Sequence, residues 1–395
     1  MTWFSFRSDE LLEVGVKPRK TGCRCPICGR RGTIVCTVAP RRWDDIVVCG
    51  RRCVLVYAPR EIICATHGRV QEEIPWAQAY SRITYRLEYL ILRLCQNMTQ
   101  KAAAEILHIP KSSLSDLLHR KVEQTRANHK ISGLQKLGID EISYRKGKKY
   151  ATIVYDLDLC RVIWVGKGKG RETADLFFKE ALSKEQRENI RFASCDMSQS
   201  YLGAIKHWCH NAVLVIDRFH IVKALNNAVD DVRKEEWRKA KGKEKKVIKG
   251  LRWLLYKHST NRKKSDTRRL NSLRLSNKRI HRAWVLKDEF EAFWEYSYTQ
   301  SAESFINGWI TTALRSRLPS MKKFALTLRK HTKNILPFIK TKLTNAMSEG
   351  INRIIKIVKN RASGFANLEA FSDMIFLTIG DLDIPGQIPI EFRTL

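Results

Sequence analysis

The stretch KLGIDEIS (136–143) opens the part of the chain on which the fold turns: Leu137 and Ile139 lead into the adjacent carboxylates Asp140 and Glu141. Alternation of this kind marks a half-buried strand. YATIVYDLD (150–158) and CRVIWVGKG (160–168) follow as two more strand-like runs, close enough in sequence to pair antiparallel. ETADLFFKEAL (172–182) carries a helical pattern, and IRFASCDMS brings a short strand to Asp196. A second helical segment spans 199–208, and AVLVIDRFH closes the region with a buried-looking strand that ends at Asp217 and His220.

The order strand, strand, strand, helix, strand, helix, strand is that of an RNase H-like sheet. Carboxylates at strand ends supply the rigid oxygen ligands that two Mg2+ ions, about 3.5–4 Å apart, need for phosphodiester chemistry. Asp140 and Asp196 are the candidates. Taken singly, each also reads as a turn or cap residue; expected at the ends of neighbouring strands, they point together to a site whose third carboxylate comes from elsewhere.

With 395 residues the chain has room for a large core and two to four domains. Its 73 Lys and Arg against 40 Asp and Glu give a net charge of +33, which makes nucleic acid the natural partner. The sequence has no long apolar span, signal-peptide pattern or lipidation motif, so the expectation is a soluble cytoplasmic protein, nucleoid-associated when on DNA and without a membrane partner. Seven of the 11 cysteines fall in the first 67 residues, a clustering that points to metal rather than disulfides.

Cys25 and Cys28 form a CxxC knuckle before Gly29, and Cys64 and His67 form CxxH, together enough for a closed structural Zn2+ site. Cys49 and Cys53 keep a rival ligand set open, with Cys23 and Cys36 as further thiols. RLEYLILRLCQN (86–97), QKAAAEILHI (100–109) and, after Pro110, SSLSDLLHRKVEQ (112–124) read as helices, the last capped by Ser112 or Ser113. The last two form a helix-turn-helix that would lay Ser112, Ser113, Ser115 and Arg120 in a major groove. Between Asp231 and Arg282 stand 20 Lys and Arg and 5 Asp and Glu, interleaved with Trp237, Trp253 and Tyr256. That all-helical stretch is expected to track DNA backbone, with Lys245, Lys246, Arg268 and Arg269 on phosphates. Segments 283–296 and 302–314 continue as helices, with Trp284, Phe290, Phe293 and Trp294 on core faces. In TNAMSEGINRIIKIVKNRASGF (344–365), Ser348 caps or enters a helix with Ile351, Ile354, Ile355 and Val358 on one face. Glu349 lies near its start, with Arg353 and Lys356 among the cations around it.

CPICG, GIDEISYRKGKKYATIVYDLD, CDMSQSY, NAVLVIDRFHIVKALNNAVDDVR and TNAMSEGINRIIKIVKNRASGF, in this order, resemble the ISL-three group of bacterial insertion-sequence transposases over nearly the whole chain. These belong to the DDE superfamily with an RNase H-like core. The resemblance implies a catalytic triad of Asp140, Asp196 and Glu349 holding Mg2+ or Mn2+, Asp140 bridging two ions, and Asp217 and His220 supporting near the processed DNA end. The basic helical stretch would then be an insertion between Asp196 and Glu349.

The expected layout is a zinc-binding module (1–80), a helix-turn-helix (81–130), a first catalytic part (131–235), the basic helical insertion (236–335) and a C-terminal catalytic part (336–395). The partners would be double-stranded DNA, as terminal inverted repeats and as target, with the protein acting as a homo-oligomer, a dimer on DNA. A DNA-binding regulator with an inactive core and a purely hydrolytic nuclease are the alternatives.

Overall fold

The computed structural model describes residues 3–18, 22–128, 131–145, 149–341 and 346–382, apart from the side chains of 128 and 346–349. Eight strands come first: β1 (Trp3–Ser8), β2 (Leu11–Gly15), β3 (Cys23–Arg24), β4 (Arg31–Thr37), β5 (Arg41–Val48), β6 (Arg51–Tyr57), β7 (Arg60–Cys64) and β8 (Gly68–Gln71). They form two sheets, ordered β1-β2-β6-β5 and β3-β4-β7-β8. The first closes on Val14, Trp43, Cys53, Leu55 and Tyr57. The second is small, with Cys23, Cys25, Ile62 and Cys64 at its centre.

Three helices follow: α1 (Tyr85–Asn97), α2 (Gln100–Ile106) and α3 (Lys111–Asn128). Thr84 and Thr99 cap α1 and α2, accepting from Leu87 and Ala102. The Thr84 hydroxyl also donates to buried Asp45 on β5 at 2.7 Å, tying the helices to the first sheet. The sequence placed the cap of α3 at Ser112 or Ser113. The helix instead starts at Lys111, because the Pro110 carbonyl already accepts from Leu114, and both serines lie exposed in the first turn.

The central sheet is built from β9 (Lys136–Arg145), β10 (Lys149–Asp156), β11 (Arg161–Lys167), β12 (Phe192–Cys195) and β13 (Val213–Ile216), in the order β11-β10-β9-β12-β13. The first three pair antiparallel; β12 joins β9 and β13 in parallel. β10 is buried along almost its whole length, as expected of a strand covered on both faces. α4 (Arg171–Leu176), running into a π turn at Phe177–Ala181, and α5 (Lys184–Asn189) lead from β11 to β12. α6 (Gln199–Trp208) provides the crossover that parallel β12 and β13 require. The sequence ended the first strand at Asp140. β9 runs on to Arg145, because its hairpin with β10 continues after pairing with β12 stops at Gly138.

From Arg218 to Thr341 the structure is helical throughout: α7 (Arg218–Lys239), α8 (Gly242–Lys249), α9 (Arg252–Tyr256), α10 (Lys264–Ser276), α11 (Lys278–Glu291), α12 (Thr299–Arg315), α13 (Pro319–Ile335) and α14 (Pro337–Thr341), with short 3-10 turns between. Trp284, Phe290, Phe293 and Trp294 are buried here as their spacing indicated, and the Trp309 indole donates to the Leu286 carbonyl. α15 (Ala346–Arg361) and α16 (Leu368–Ile379) complete the described chain. On α15, Ile351, Ile355 and Val358 are buried, whereas Ile354, expected on the same face, is exposed. Among the described residues no helix is long and apolar enough to cross a membrane.

The chain forms two compact units, Met1–Lys130 with Ile354–Leu395, and Ile131–Arg353. The boundary between them, at 353/354, falls within the span 336–395. In the first unit α16 packs on α1 and α3, with Phe371, Met374 and Ile375 buried and the Arg126 guanidinium 4.2 Å from the Phe376 ring centre.

Candidate active site and metal sites

Strand register sets the geometry around Asp140. Gly138 on β9 sits opposite Ser194 on β12, and Ser194 opposite Val215 on β13. Asp140, Asp196 and Asp217 each follow these partners by two residues, Asp140 still within β9 and the other two just past the C-terminal ends of the neighbouring β12 and β13. Asp196 lies just past β12, where its carboxylate accepts from the Ser198 N–H at 2.8 Å. Asp217 caps α7, accepting from the Phe219 N–H at 2.7 Å. His220, one turn into that helix, places Nε2 3.7 Å from both Asp140 Oδ1 and Asp217 Oδ2.

Asp140 is largely buried. Its Oδ1 accepts from the Glu141 N–H and its Oδ2 from Asn352 Nδ2, both at 2.7 Å. Burial pushes its carboxyl above the usual carboxylate range; His220, the Glu141 N–H and Asn352 pull the other way, and Asp196 adds to the rise. Glu141 is raised too, first by burial, with Lys169, 3.8 Å away, opposing and Asp196 adding. Among the described residues no lysine or arginine forms an ion pair with Asp140 or Asp196. In a chain of charge +33, such a group of carboxylates suits a hard divalent cation with oxygen ligands. Glu349 falls in α15 by its backbone, and its side chain, like that of Ser348, lies outside the described residues. Asn352 and Tyr155 are the residues here that sequence reasoning did not single out; Asn352 stood next to Glu349 in a suggestive segment, and Tyr155 gave no signal.

Cys25, Cys28, Cys64 and His67 come together in the second sheet, with one ligand atom from each lying within 4.8 Å of all the others. Sγ of Cys25 is 3.6 Å from His67 Nδ1, Sγ of Cys28 is 3.6 Å from Sγ of Cys64, and Cys64 is 3.8 Å from His67. Zinc bonds of about 2.3 Å to sulfur and about 2.0–2.1 Å to nitrogen give tetrahedron edges of roughly 3.5–3.8 Å, so the four groups fit Zn2+. Each knuckle ends in a glycine of positive φ, Gly29 at 69° and Gly68 at 67°. N–H groups of Thr66 and His67, then the His67 ring, lower the Cys64 thiol to about 6, which favours the thiolate. The other N-terminal thiols stand outside this group of four. Cys49 occupies the β5–β6 hairpin turn at φ 50°, exposed, while Cys53 is buried in the first sheet, Cys23 donates to Glu72 and Cys36 to Glu61.

In the helix-turn-helix, Ser112, Ser113 and Arg120 are exposed, whereas Ser115 donates to Gln100 on α2 at 2.9 Å and so braces the motif. A second group of ligand-type side chains, His119, Glu123 and Asp373, joins α3 to α16. Both ring nitrogens of His119 already face carboxylates, Nδ1 at 3.0 Å from Asp373 and Nε2 at 3.3 Å from Glu369. Along the basic helices Lys246, Arg268 and Arg269 are exposed, Lys245 is half-buried with Nζ 4.5 Å from the Trp237 ring centre, and Trp253 is 71% exposed. Arg353 and Lys356 are exposed on α15.

Two family models match the chain. One, described as "Transposase" and covering the DDE domain of ISL3 type, spans residues 137–375, more than half the sequence. The other, the helix-turn-helix domain of transposase family ISL3, spans 72–122. Among curated proteins, the chain is 29% identical to the transposase for insertion sequence element IS1001 of Bordetella parapertussis, across 91% of this chain and 89% of that protein. It is 25% identical to the transposase for insertion sequence element IS1557 of Mycobacterium tuberculosis (strain ATCC 25618 / H37Rv), across 92% of this chain and 87% of that one. The chain belongs to the ISL3 family of DDE transposases.

Proposed function

We propose that this DNA transposase cleaves at the terminal inverted repeats of its own element and joins the freed 3′ ends to target DNA through a two-metal site on Asp140, Asp196 and Glu349. The observation that carries the reading is that Asp140 and Asp196 each lie two residues beyond the Gly138–Ser194 register pair and act on each other electrostatically, with Asn352 of α15 bonded to Asp140. Glu349 precedes Asn352 by three residues in one helix, and residues three apart share a helix face. The sheet order β11-β10-β9-β12-β13 supports an RNase H-like core, and the helical run from α7 to α14 supports an all-α insertion within it. We retain the division 1–80, 81–130, 131–235, 236–335 and 336–395 as a functional one.

Mg2+ or Mn2+, when bound, polarises the scissile phosphate and makes water or a 3′-hydroxyl a competent nucleophile. The chain's own residues do the rest. Asp140 and Asp196 present oxygens from two interior strands of a rigid sheet, one within β9 and one just past β12, and Asp217 orients α7 so that His220 stands beside Asp140, where it positions the DNA strand without ligating metal. Ser112, Ser113 and Arg120 face a major groove, with Ser115 bracing α2. Lys245, Lys246, Arg268, Arg269, Arg353 and Lys356 neutralise phosphates. Zn2+ on Cys25, Cys28, Cys64 and His67 is structural, since protein fills all four positions. The acting form is a dimer on DNA.

The test is a Mg2+-dependent reaction on a duplex bearing the element's terminal repeat, together with a target plasmid. Cleavage followed by joining supports the proposal, and Asp140→Asn, Asp196→Asn and Glu349→Gln should each abolish both steps while terminal-repeat binding persists. Cleavage without joining would favour the hydrolytic alternative, and binding alone the regulator.

A further inference from the structure

We propose that Asn352, seven residues into α15, is a positioning residue that fixes the orientation of the Asp140 carboxylate and holds that helix segment to the sheet, supported by Tyr155 and Gly138. The inference rests on the carboxylate reading above. Asn352 Nδ2 donates to Asp140 Oδ2 at 2.7 Å, and its Oδ1 accepts from the Tyr155 hydroxyl at 2.6 Å. The polarity of this bridge is forced. An ionised carboxylate can only accept, so the amide must turn its NH2 to Asp140 and its carbonyl to a donor. Tyr155 is that donor: it is fully buried, and burial keeps its phenol protonated well beyond the usual range.

Tyr155 reaches Asn352 because its ring crosses Gly138, its partner on β9. A Cβ at position 138 would lie 3.1 Å from Tyr155 Cδ2 and 3.0 Å from Leu157 Cδ2, so any larger residue would push the ring aside. Pairing an aromatic ring with a cross-strand glycine is a known way to hold both. The terminal torsion of an aspartate is broad and sets no orientation by itself. At Asp140 two fixed donors set it, the Glu141 N–H on one oxygen and Asn352 on the other, leaving the remaining lone pairs in defined directions. The same amide connects the strand bearing Asp140 to α15.

The experiment compares Asn352→Leu, of nearly the same shape but with neither hydrogen bond, and Tyr155→Phe, which removes one oxygen and keeps the ring. In the metal-free protein, hydrogen exchange of the backbone amides of residues 346–353 should be faster in both variants. Calorimetric titration with Mn2+ should show affinity weakened about tenfold or more in Asn352→Leu and less in Tyr155→Phe. The double variant should be little worse than Asn352→Leu alone, because both changes act through one amide. Wild-type exchange and wild-type Mn2+ affinity in a folded Asn352→Leu protein would overturn the proposal; if that variant does not fold, the same result in Tyr155→Phe would overturn it. Asp140→Asn, titrated in parallel, separates the two levels. Unchanged Mn2+ binding there refutes the carboxylate reading itself, whereas loss there with both positioning variants at wild type refutes only the role of Asn352.

Discussion

Asp140 stands between Ile139 and Glu141 in sequence, yet the side chain bonded to it belongs to Asn352, 212 residues away. The aspartate was legible because alternating apolar residues lead into it; its partner was not, since an asparagine between Ile351 and Arg353 carries no pattern that points to a strand 212 residues away. The grouping of Cys25, Cys28, Cys64 and His67 was legible for the opposite reason. CxxC-Gly and CxxH-Gly are local patterns, and the knuckle turns that the glycines permit are set by those few residues alone. Cys28→Ser should therefore lower bound zinc by about one equivalent, measured by elemental analysis, and unfold its module. His67→Cys should retain the ion, because four thiolates also make a closed tetrahedral site; full zinc content in Cys28→Ser would move the site elsewhere. His220, 3.7 Å from two carboxylates, belongs at this scale too: His220→Ala should slow cleavage severalfold with metal affinity and melting temperature nearly unchanged. A large fall in melting temperature with normal activity of the folded fraction would mark the histidine as structural.

At the scale of elements, helix and strand cores were readable and their limits less so. β9 outruns Asp140 because hairpin pairing with β10 continues, and α3 begins a turn early because Pro110 supplies a carbonyl but needs no N–H partner. The docking of α16 on α3 left no mark in the sequence, since charged pairs between distant helices have no periodicity. This contact gives the protein a pH dependence. Burial pulls the His119 imidazole down, but Asp373, Glu369 and Glu123 together hold it above its ordinary 6.5. Burial also raises the Asp373 carboxyl above 3.8, with His119 opposing. Both groups bind their proton more tightly folded than unfolded, so stability falls with rising pH, for Asp373 from about pH 4 upward and for His119 as pH passes from 6.5 through its raised value. Calorimetry should show the melting temperature declining above pH 6.5, and His119→Gln should remove that part of the slope; an unaltered slope would refute the assignment. The basic helices make a separate prediction: neutralising Lys245, Lys246, Arg268 and Arg269 should weaken specific and random duplexes about equally. It should also flatten log K against log salt by about 0.9 for each phosphate that is no longer neutralised, whereas weakening confined to the terminal repeat would mean that these helices read bases.

For the molecule as a whole, the net charge of +33 announced a nucleic-acid partner before any element was placed. What composition could not announce is that the two ends of the chain share one unit while the carboxylate-bearing sheet lies in the other, because only packing decides which segments meet. The central claim is that carboxylates scattered from residue 140 to residue 349 serve one metal site. Replacing Mg2+ with Fe2+ and adding hydrogen peroxide generates hydroxyl radicals at the bound ion as Fe2+ reduces the peroxide, ascorbate returns the Fe3+ formed to Fe2+, and mass spectrometry then maps where the polypeptide is cut. The account predicts scission clustered near Asp140, Asp196 and Glu349, suppressed by excess Mg2+ and lost in Asp140→Asn. Cuts near Asp140 and Asp196 with none near Glu349, or a pattern that Asp140→Asn leaves intact, would contradict it.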